Sequence, residues 1–495
     1  MTNYNYFSQM KLNSFTKDKL NENKYLILGH ITFFILFILA FIFANERVLY
    51  TDSGAQVFEF IRDEGFEIYD KRYSMYLFQI LPVLAIKLHL PLIVVIYSYS
   101  LSVPVIGYLL WLITVYFLKD QKIGMLMLFV MLGIRQTFFH AISETVQLIF
   151  FASFLYGWLF QQRNYQSSVY LKSLYYLIAF IFIALCMFIH PVAIFFISFI
   201  LGLYILDKQK TVFQKTVITI LSTGVILLKI LLTEQSSHDA GFMINMDEFL
   251  HRISHLFVLN STTWYFERFI DFYWIPLLML ILSLLFYQKR KKYWHFAFLS
   301  CFTIAFWLVS AIVYANDNGG IAKERIFFPL FFFCGISFVT EIFPLFSSKW
   351  NKIFLVGLSV FIGIGFTKIA VASIPYTKRL EKIEEISRLA NQEGKKKILI
   401  TGDITSLLFP VSSWGLGFES MMYSSLKGVD STVNMYVVDD IDPEEKKYKD
   451  PGVYLAVPWW KYWEINKLNP YYFRLPKQAC SKLVIENGKL SIKDL

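Results

Sequence analysis

Charge is scarce in this sequence: Asp, Glu, Lys and Arg make up 17% of 495 residues, against about 25% in a soluble domain. A chain so short of charge cannot clothe an ordinary water-soluble globule. Cysteine is scarcer, with four residues in all. Cys186, Cys301 and Cys334 lie inside apolar runs and Cys480 stands alone near the end, which excludes a disulfide framework and a Cys-rich metal site. The last 120 or so residues contain no Gly-rich phosphate loop, repeat or low-complexity segment.

What is abundant is apolar and aromatic. Hydrophobic residues reach 56%, with 51 Phe, 30 Tyr and 11 Trp, and mean hydropathy is +0.49. These values place the chain in lipid, and rings near the ends of apolar runs suit the membrane interface. The net charge of +10 does not point to nucleic acid, because the Lys and Arg residues sit mainly in short loops between apolar runs and set orientation.

Runs of bilayer length begin near Tyr25, Ile93, Ile123, Ile142, Leu174, Val192, Val217, Phe272, Phe296, Ile326 and Ile353, which predicts about eleven transmembrane helices. The polar N-terminus carries Lys11, Lys17, Lys19 and Lys24, and no small-residue cleavage site follows the first run. That predicts a retained first helix with a cytoplasmic N-terminus. Alternate loops then hold Lys119 and Lys122; Arg163 and Lys172; Lys208, Lys210 and Lys215; Lys289 to Lys292; and Lys349 and Lys352, as the positive-inside rule requires. The expected setting is an integral membrane protein of a bacterial inner membrane, with chemistry on the outer face.

Eleven crossings put the tail outside. It opens with an amphipathic pattern from Tyr376 to Asn391, followed by strand-like runs at 397–400, 431–438, 454–457 and 482–485. The predicted division is therefore a transmembrane domain, 1–372, and a small extracytoplasmic α/β domain, 373–495.

Chemistry-bearing residues gather at the outer ends of the runs. Asp52, in Tyr50-Thr51-Asp52-Ser53-Gly54 just after the first helix, can accept a proton from an attacking hydroxyl; equally, Asp52 or Ser53 caps a helix from Gly54 to Asp63. Arg72 lies in Tyr69 to Tyr73, ahead of an interfacial helix over Met75 to Leu90 that frames a lipid access groove or serves as a plain surface anchor. Arg135, His140 and Glu144 are costly at membrane depth, so they line a wet cavity or pair with one another, Arg135 with Glu144 in the simplest case. His190, before Pro191, either meets a phosphate or sugar or is a satisfied interfacial histidine. His238, His251 and His255 lack zinc spacing, and Asn260-Ser261-Thr262 is a sequon of little meaning outside a secretory eukaryotic setting. Asn316 to Leu330 turns a polar loop into a helix: Arg325, with Lys323 beside it, suits bidentate contact with a lipid phosphate, or both snorkel to the interface.

An Asp after helix one, an interfacial helix behind it, and Glu324-Arg325-Ile326-Phe327-Phe328-Pro329-Leu330 opening a late helix together resemble the GT-C superfamily of integral-membrane glycosyltransferases. That superfamily includes lipid A aminoarabinose transferases, protein O-mannosyltransferases and oligosaccharyltransferases. The last segment looks like their Glu-Arg-Tyr-x-x-Pro-Leu, with Ile326 in place of Tyr. The likeness is one of layout over about the first 370 residues. Many members carry two adjacent acids in the first loop, whereas Ser53 follows Asp52 here, so a metal-bound acidic pair is not expected and a divalent cation is left open.

The resemblance implies a polyprenyl-phosphate-linked sugar donor, an extracytoplasmic lipid, glycan or protein acceptor, and direct displacement with inversion. Asp52 would be the base and Arg325 would hold the donor phosphate, aided by Lys323 or His190. Glu324, Arg135, His140, Glu144 and Arg72 would complete the cavity. A lipid-linked glycan flippase, an O-antigen-type polymerase or ligase, and a non-catalytic scaffold are the competing expectations.

Overall fold

The computed structural model describes residues 24–161, 168–233, 245–315, 320–411, 414–439, 445–456 and 462–495. Lys11, Lys17, Lys19, Arg163, His238 and the segment 316–319 lie outside the described residues.

Among the described residues, seven helices are long and apolar enough to cross a bilayer: Lys24–Ile42, Leu92–Phe117, Val169–Met187, Val212–Leu232, Tyr293–Val313, Lys323–Leu345 and Ser348–Gln392. Four shorter apolar helices, Gln121–Gly133, Glu144–Phe160, Ala193–Leu206 and Trp274–Lys289, stand at the other predicted starts. The chain is thus a polytopic helical protein of the membrane type.

Local chemistry fixes several of these helix ends. Asp120 accepts from the Ile123 amide and Ser168 from the Leu171 amide, and Thr211 with Gln214 forms a reciprocal capping box. Glu144–Phe160 is buried along all but its last residue and so lies inside the bundle. By contrast, Phe34, Phe41, Ile220 and Leu231 on the longer helices are exposed, as lipid-facing residues are.

The interfacial stretch is a 3-10 turn, Tyr73–Met75, leading into a helix, Tyr76–Lys87. The bundle's last helix runs on into the amphipathic helix Ile374–Gln392, whose Leu380, Ile383 and Ile386 are buried. Beyond it, the described residues form six strands: β1 (Lys397–Thr401), β2 (Asn434–Val438), β3 (Val453–Leu455), β4 (Tyr462–Glu464), β5 (Ser481–Glu486) and β6 (Lys489–Asp494). Four form a sheet in the order β2-β1-β5-β6, parallel except for the β5–β6 hairpin, with Lys397 opposite Asn434. β3 and β4 form a separate antiparallel ribbon. Sequence periodicity anticipates four of these strands and misses β4 and β6, which are short or largely exposed.

The C-terminal domain is not a loose appendage. The helix Thr51–Asp63 is clasped between it and the bundle: Val57, Phe58, Phe60 and Ile61 share one apolar core with Val95 and Tyr99 on one side and with Phe418, Met421, Tyr454 and Phe473 on the other. Phe58 lies between rings, stacking on Phe418 and Trp463. Arg62 covers Trp463 at 4.2 Å, and Asn469 donates to the Ile61 carbonyl at 3.0 Å.

Candidate functional site

The site forms where three chain segments meet the helix Gly320–Phe327, which carries Glu324 and Arg325, at the domain end of the bundle. The first is the helix Thr51–Asp63, expected to start at Gly54 with Asp52 or Ser53 as cap. It starts earlier, Tyr50 is the residue at the cap position, and no side chain caps it. Asp52 is therefore released from capping, and its carboxylate meets His140 Nε2 at 3.0 Å.

The second segment, Ile134 to Ser143, interrupts two helices. Ile134 turns extended and a 3-10 turn follows at Gln136–Phe139. Its exposed amides are gathered by one carboxylate: Glu324 accepts from the backbone N–H groups of Arg135 at 2.7 Å, Gln136 at 3.1 Å and Thr137 at 3.0 Å, and from the Thr137 hydroxyl. Arg47, fully within the protein, braces the same turn through the Phe138 carbonyl and ring, and bonds Ser100 from its other side. His140 thus projects from a turn fixed on both flanks, and the Ile142 amide donates to Ser53 Oγ at 3.2 Å.

The third segment carries Arg72. It is anchored by Ser74, whose amide bonds the Phe188 carbonyl and whose hydroxyl bonds that of Leu185, and by Lys229 Nζ on the Asp70 carbonyl. Glu144, at the start of its helix, receives Arg72 Nη1 at 2.6 Å on one carboxylate oxygen and Arg325 Nη2 at 3.4 Å on the other. Arg325 Nη1 lies 3.5 Å from His140 Nδ1, and Asp70 is 3.8 Å from Arg72. Asp70, Arg72, Glu144, Arg325, His140 and Asp52 are thereby one continuous chain of charged and polar contacts.

One of the expected pairings is corrected. Arg135 does not pair with Glu144; its Nε lies 3.9 Å from Glu324, because Glu144 is already engaged by two other arginines. His140 stands in the turn ahead of the helix that begins at Glu144. Glu324, expected among the substrate-binding residues, has its carboxylate turned to the 135–137 turn, which makes it a structural clamp. His190 has a local partner, its Nδ1 accepting from the Val192 amide at 3.2 Å, which organises the Pro191 turn. Lys323 is buried one residue before the Glu324 clamp.

Burial is uneven along the network. The side chains of His140 and Glu144 are 3% and 5% exposed, whereas that of Asp52 is 57% exposed. Asp52 thus lies within a crowded recess yet keeps an open surface. Burial works to raise its pKa, but the His140 hydrogen bond and the charges of His140, Arg325 and Arg72 outweigh it and hold the carboxyl at about 2. An ionised, accessible carboxylate beside two guanidinium groups is arranged to meet a hydroxyl and an anion together. Among the described residues no three His, Cys, Asp or Glu side chains converge on a metal position.

Sequence reasoning missed Arg379 and Glu419. They form a fully buried ion pair directly behind the Asp52 helix, and Glu419 also accepts from the Thr51 amide. One signal was available: Arg379 falls on the stripe of Tyr376, Ile383 and Ile386, an unlikely place for a solvated charge. No family model, curated protein or solved structure matches the chain.

Proposed function

We propose that the protein is a membrane glycosyltransferase of the GT-C type. It transfers a sugar from a polyprenyl-phosphate-linked donor to an acceptor hydroxyl on the outer face of a bacterial inner membrane. On this reading the four short apolar helices cross along with the seven long ones, eleven in all, and the positive-inside pattern supports an outer position for the network and the C-terminal domain.

The observation that carries this reading is the convergence of Asp52, Arg72, His140, Glu144 and Arg325, from separate segments, into one network with its carboxylate end open. Arg72 and Arg325 receive the donor phosphate in the place now filled by Glu144. Asp52 takes the acceptor proton as the acceptor oxygen attacks the anomeric carbon. The bond from that carbon to the phosphate oxygen breaks, and the phosphate leaves with the electron pair, stabilised by Arg325. Donor binding also readies the base. A phosphate on Arg325 and Arg72 cancels part of the field that keeps Asp52 a weak base, so its proton affinity rises once donor is present. His140 orients the carboxylate.

A lipid-linked glycan transporter would use the arginines but has no role for the open Asp52. The test is transfer of radiolabelled sugar from polyprenyl-phosphate donors in membranes holding wild-type protein, Asp52→Asn or Arg325→Ala at matched expression. Each variant is expected to lose on the order of 10²–10³-fold in rate. Full activity in Asp52→Asn sinks the base assignment, and no transfer by wild-type with any donor favours transport.

A further inference from the structure

We infer that Glu419, a residue of the C-terminal domain, positions Asp52 by holding Thr51 in a strained backbone conformation. The inference rests on the reading of Asp52 as the base.

Thr51 has φ of 43°, a left-handed value that a β-branched residue rarely takes. Such strain persists only where the surroundings impose it, and here the imposing groups are identifiable. The Thr51 amide donates to the Glu419 carboxylate, which also holds the Arg379 guanidinium. Arg379 in turn reaches the Leu49 carbonyl at 3.5 Å. The two residues flanking Tyr50 are thus gripped by one ion pair, whose side chains are 1% and 0% exposed.

Close approach is built in. A Cβ on Gly54 would lie 3.0 Å from Phe418 and 3.2 Å from Glu419 Cγ, and one on Gly417 would lie 2.2 Å from the Ala456 carbonyl oxygen. The helix Leu416–Ser425 can therefore press Glu419 against the start of the Asp52 helix. If the grip fails, Thr51 relaxes to negative φ, the start of the helix turns, and Asp52, the next residue, leaves His140. The competing account is that Glu419 only neutralises Arg379 and glues the domain in place.

The two accounts separate in Glu419→Gln, Thr51→Gly and their double variant. In Glu419→Gln the amide cannot accept from both Arg379 and Thr51 without turning its own NH₂ on one of them. Glycine takes left-handed φ without strain, so Thr51→Gly should lessen the need for the grip. Two readouts are used: sugar transfer from a polyprenyl-phosphate donor, and the rate of His140 carbethoxylation by diethyl pyrocarbonate, read by peptide mass spectrometry and referenced to Asp52→Ala.

Glu419→Gln is expected to lose about a hundredfold in transfer and to show the His140 rate of Asp52→Ala. Thr51→Gly should match wild-type, and the double variant should recover most of the loss in both readouts. A double variant as impaired as Glu419→Gln overturns the inference, as does a wild-type His140 rate in Glu419→Gln. Gly54→Ala leaves the ion pair intact while pushing Glu419 back. It should give a smaller loss in both readouts, rescued by Thr51→Gly, and it decides the matter if Glu419→Gln does not fold. If the wild-type transfers no sugar, the functional reading fails, while the His140 rate still tests the positioning.

Discussion

Two arginine–carboxylate clusters lie on either side of the helix Thr51–Asp63, and they differ in what they leave over. At the domain side, Arg379 and Glu419 are sealed, and their interactions go to each other and to backbone at Leu49 and Thr51. At the bundle side, Glu144 is shared between Arg72 and Arg325, which are 12% and 21% exposed, and the chain of contacts ends at an Asp52 that is largely open. With Asp70 and Asp52 the open cluster sets three carboxylates against two guanidinium groups, so an incoming anion binds by exchange with a carboxylate such as Glu144; a sealed one-to-one pair offers no such exchange. Buried charge alone therefore does not mark a site. Shared, exchangeable charge combined with access does.

The sealed pair should be the more costly to break. Removing one partner of a buried ion pair costs about 3–5 kcal/mol, since the other charge is left without compensation. Arg379→Ala is therefore expected to lower the thermal transition of the detergent-solubilised protein more than any single change in the open cluster, and Arg379→Met with Glu419→Leu should lose less than either single change. A melting curve for Arg379→Ala that overlays wild-type would mean that the two clusters do not differ in the way described.

The contrast also explains what the sequence could reveal. Asp52, His140, Glu144 and Arg325 stand out in one dimension because each lies at the end of an apolar run, where polar groups need a reason, and Arg72 because its charged turn leads into the apolar stretch Met75 to Leu90. Their pairing was not legible: Arg135 and Glu144 are near in sequence, yet each finds its partner on distant segments, Glu324 for one and Arg72 and Arg325 for the other. Glu419 was invisible because its helix reads as ordinary domain sequence, and only the packing of Gly54 against Phe418 brings it to Thr51. The helix starts followed from hydropathy alone. The early ends of the short helices Gln121–Gly133 and Ala193–Leu206 did not, because where a helix stops depends on the turn that follows it.

A smaller effect is expected within the open cluster. If Glu144 occupies the place of a phosphate, Glu144→Gln removes the competing charge and should tighten binding of farnesyl phosphate about tenfold, a change of about 1.4 kcal/mol, while sugar transfer slows because the arginines lose their fixed orientation. Titration of the purified protein with farnesyl phosphate measures the first part. An unchanged or weaker affinity would remove Arg72 and Arg325 as phosphate ligands and leave Glu144 a purely structural bridge.

A pH-dependent effect concerns the helix that separates the two clusters. Glu59 is buried, one of its carboxylate oxygens has no hydrogen-bond partner among the described residues, and burial, with the nearby charge of Glu67, pushes its pKa up to about 8. Here the folded state holds the proton more tightly than the unfolded chain does. The stabilisation is complete below the free-glutamate value near 4.5 and is lost as pH rises towards about 8. Glu59→Gln fixes the neutral form, so its melting temperature should fall less than wild-type across that window and should coincide with wild-type at the acid end. Parallel pH profiles for the two proteins would show that the Asp52 helix is tied to the domain without any contribution from this proton.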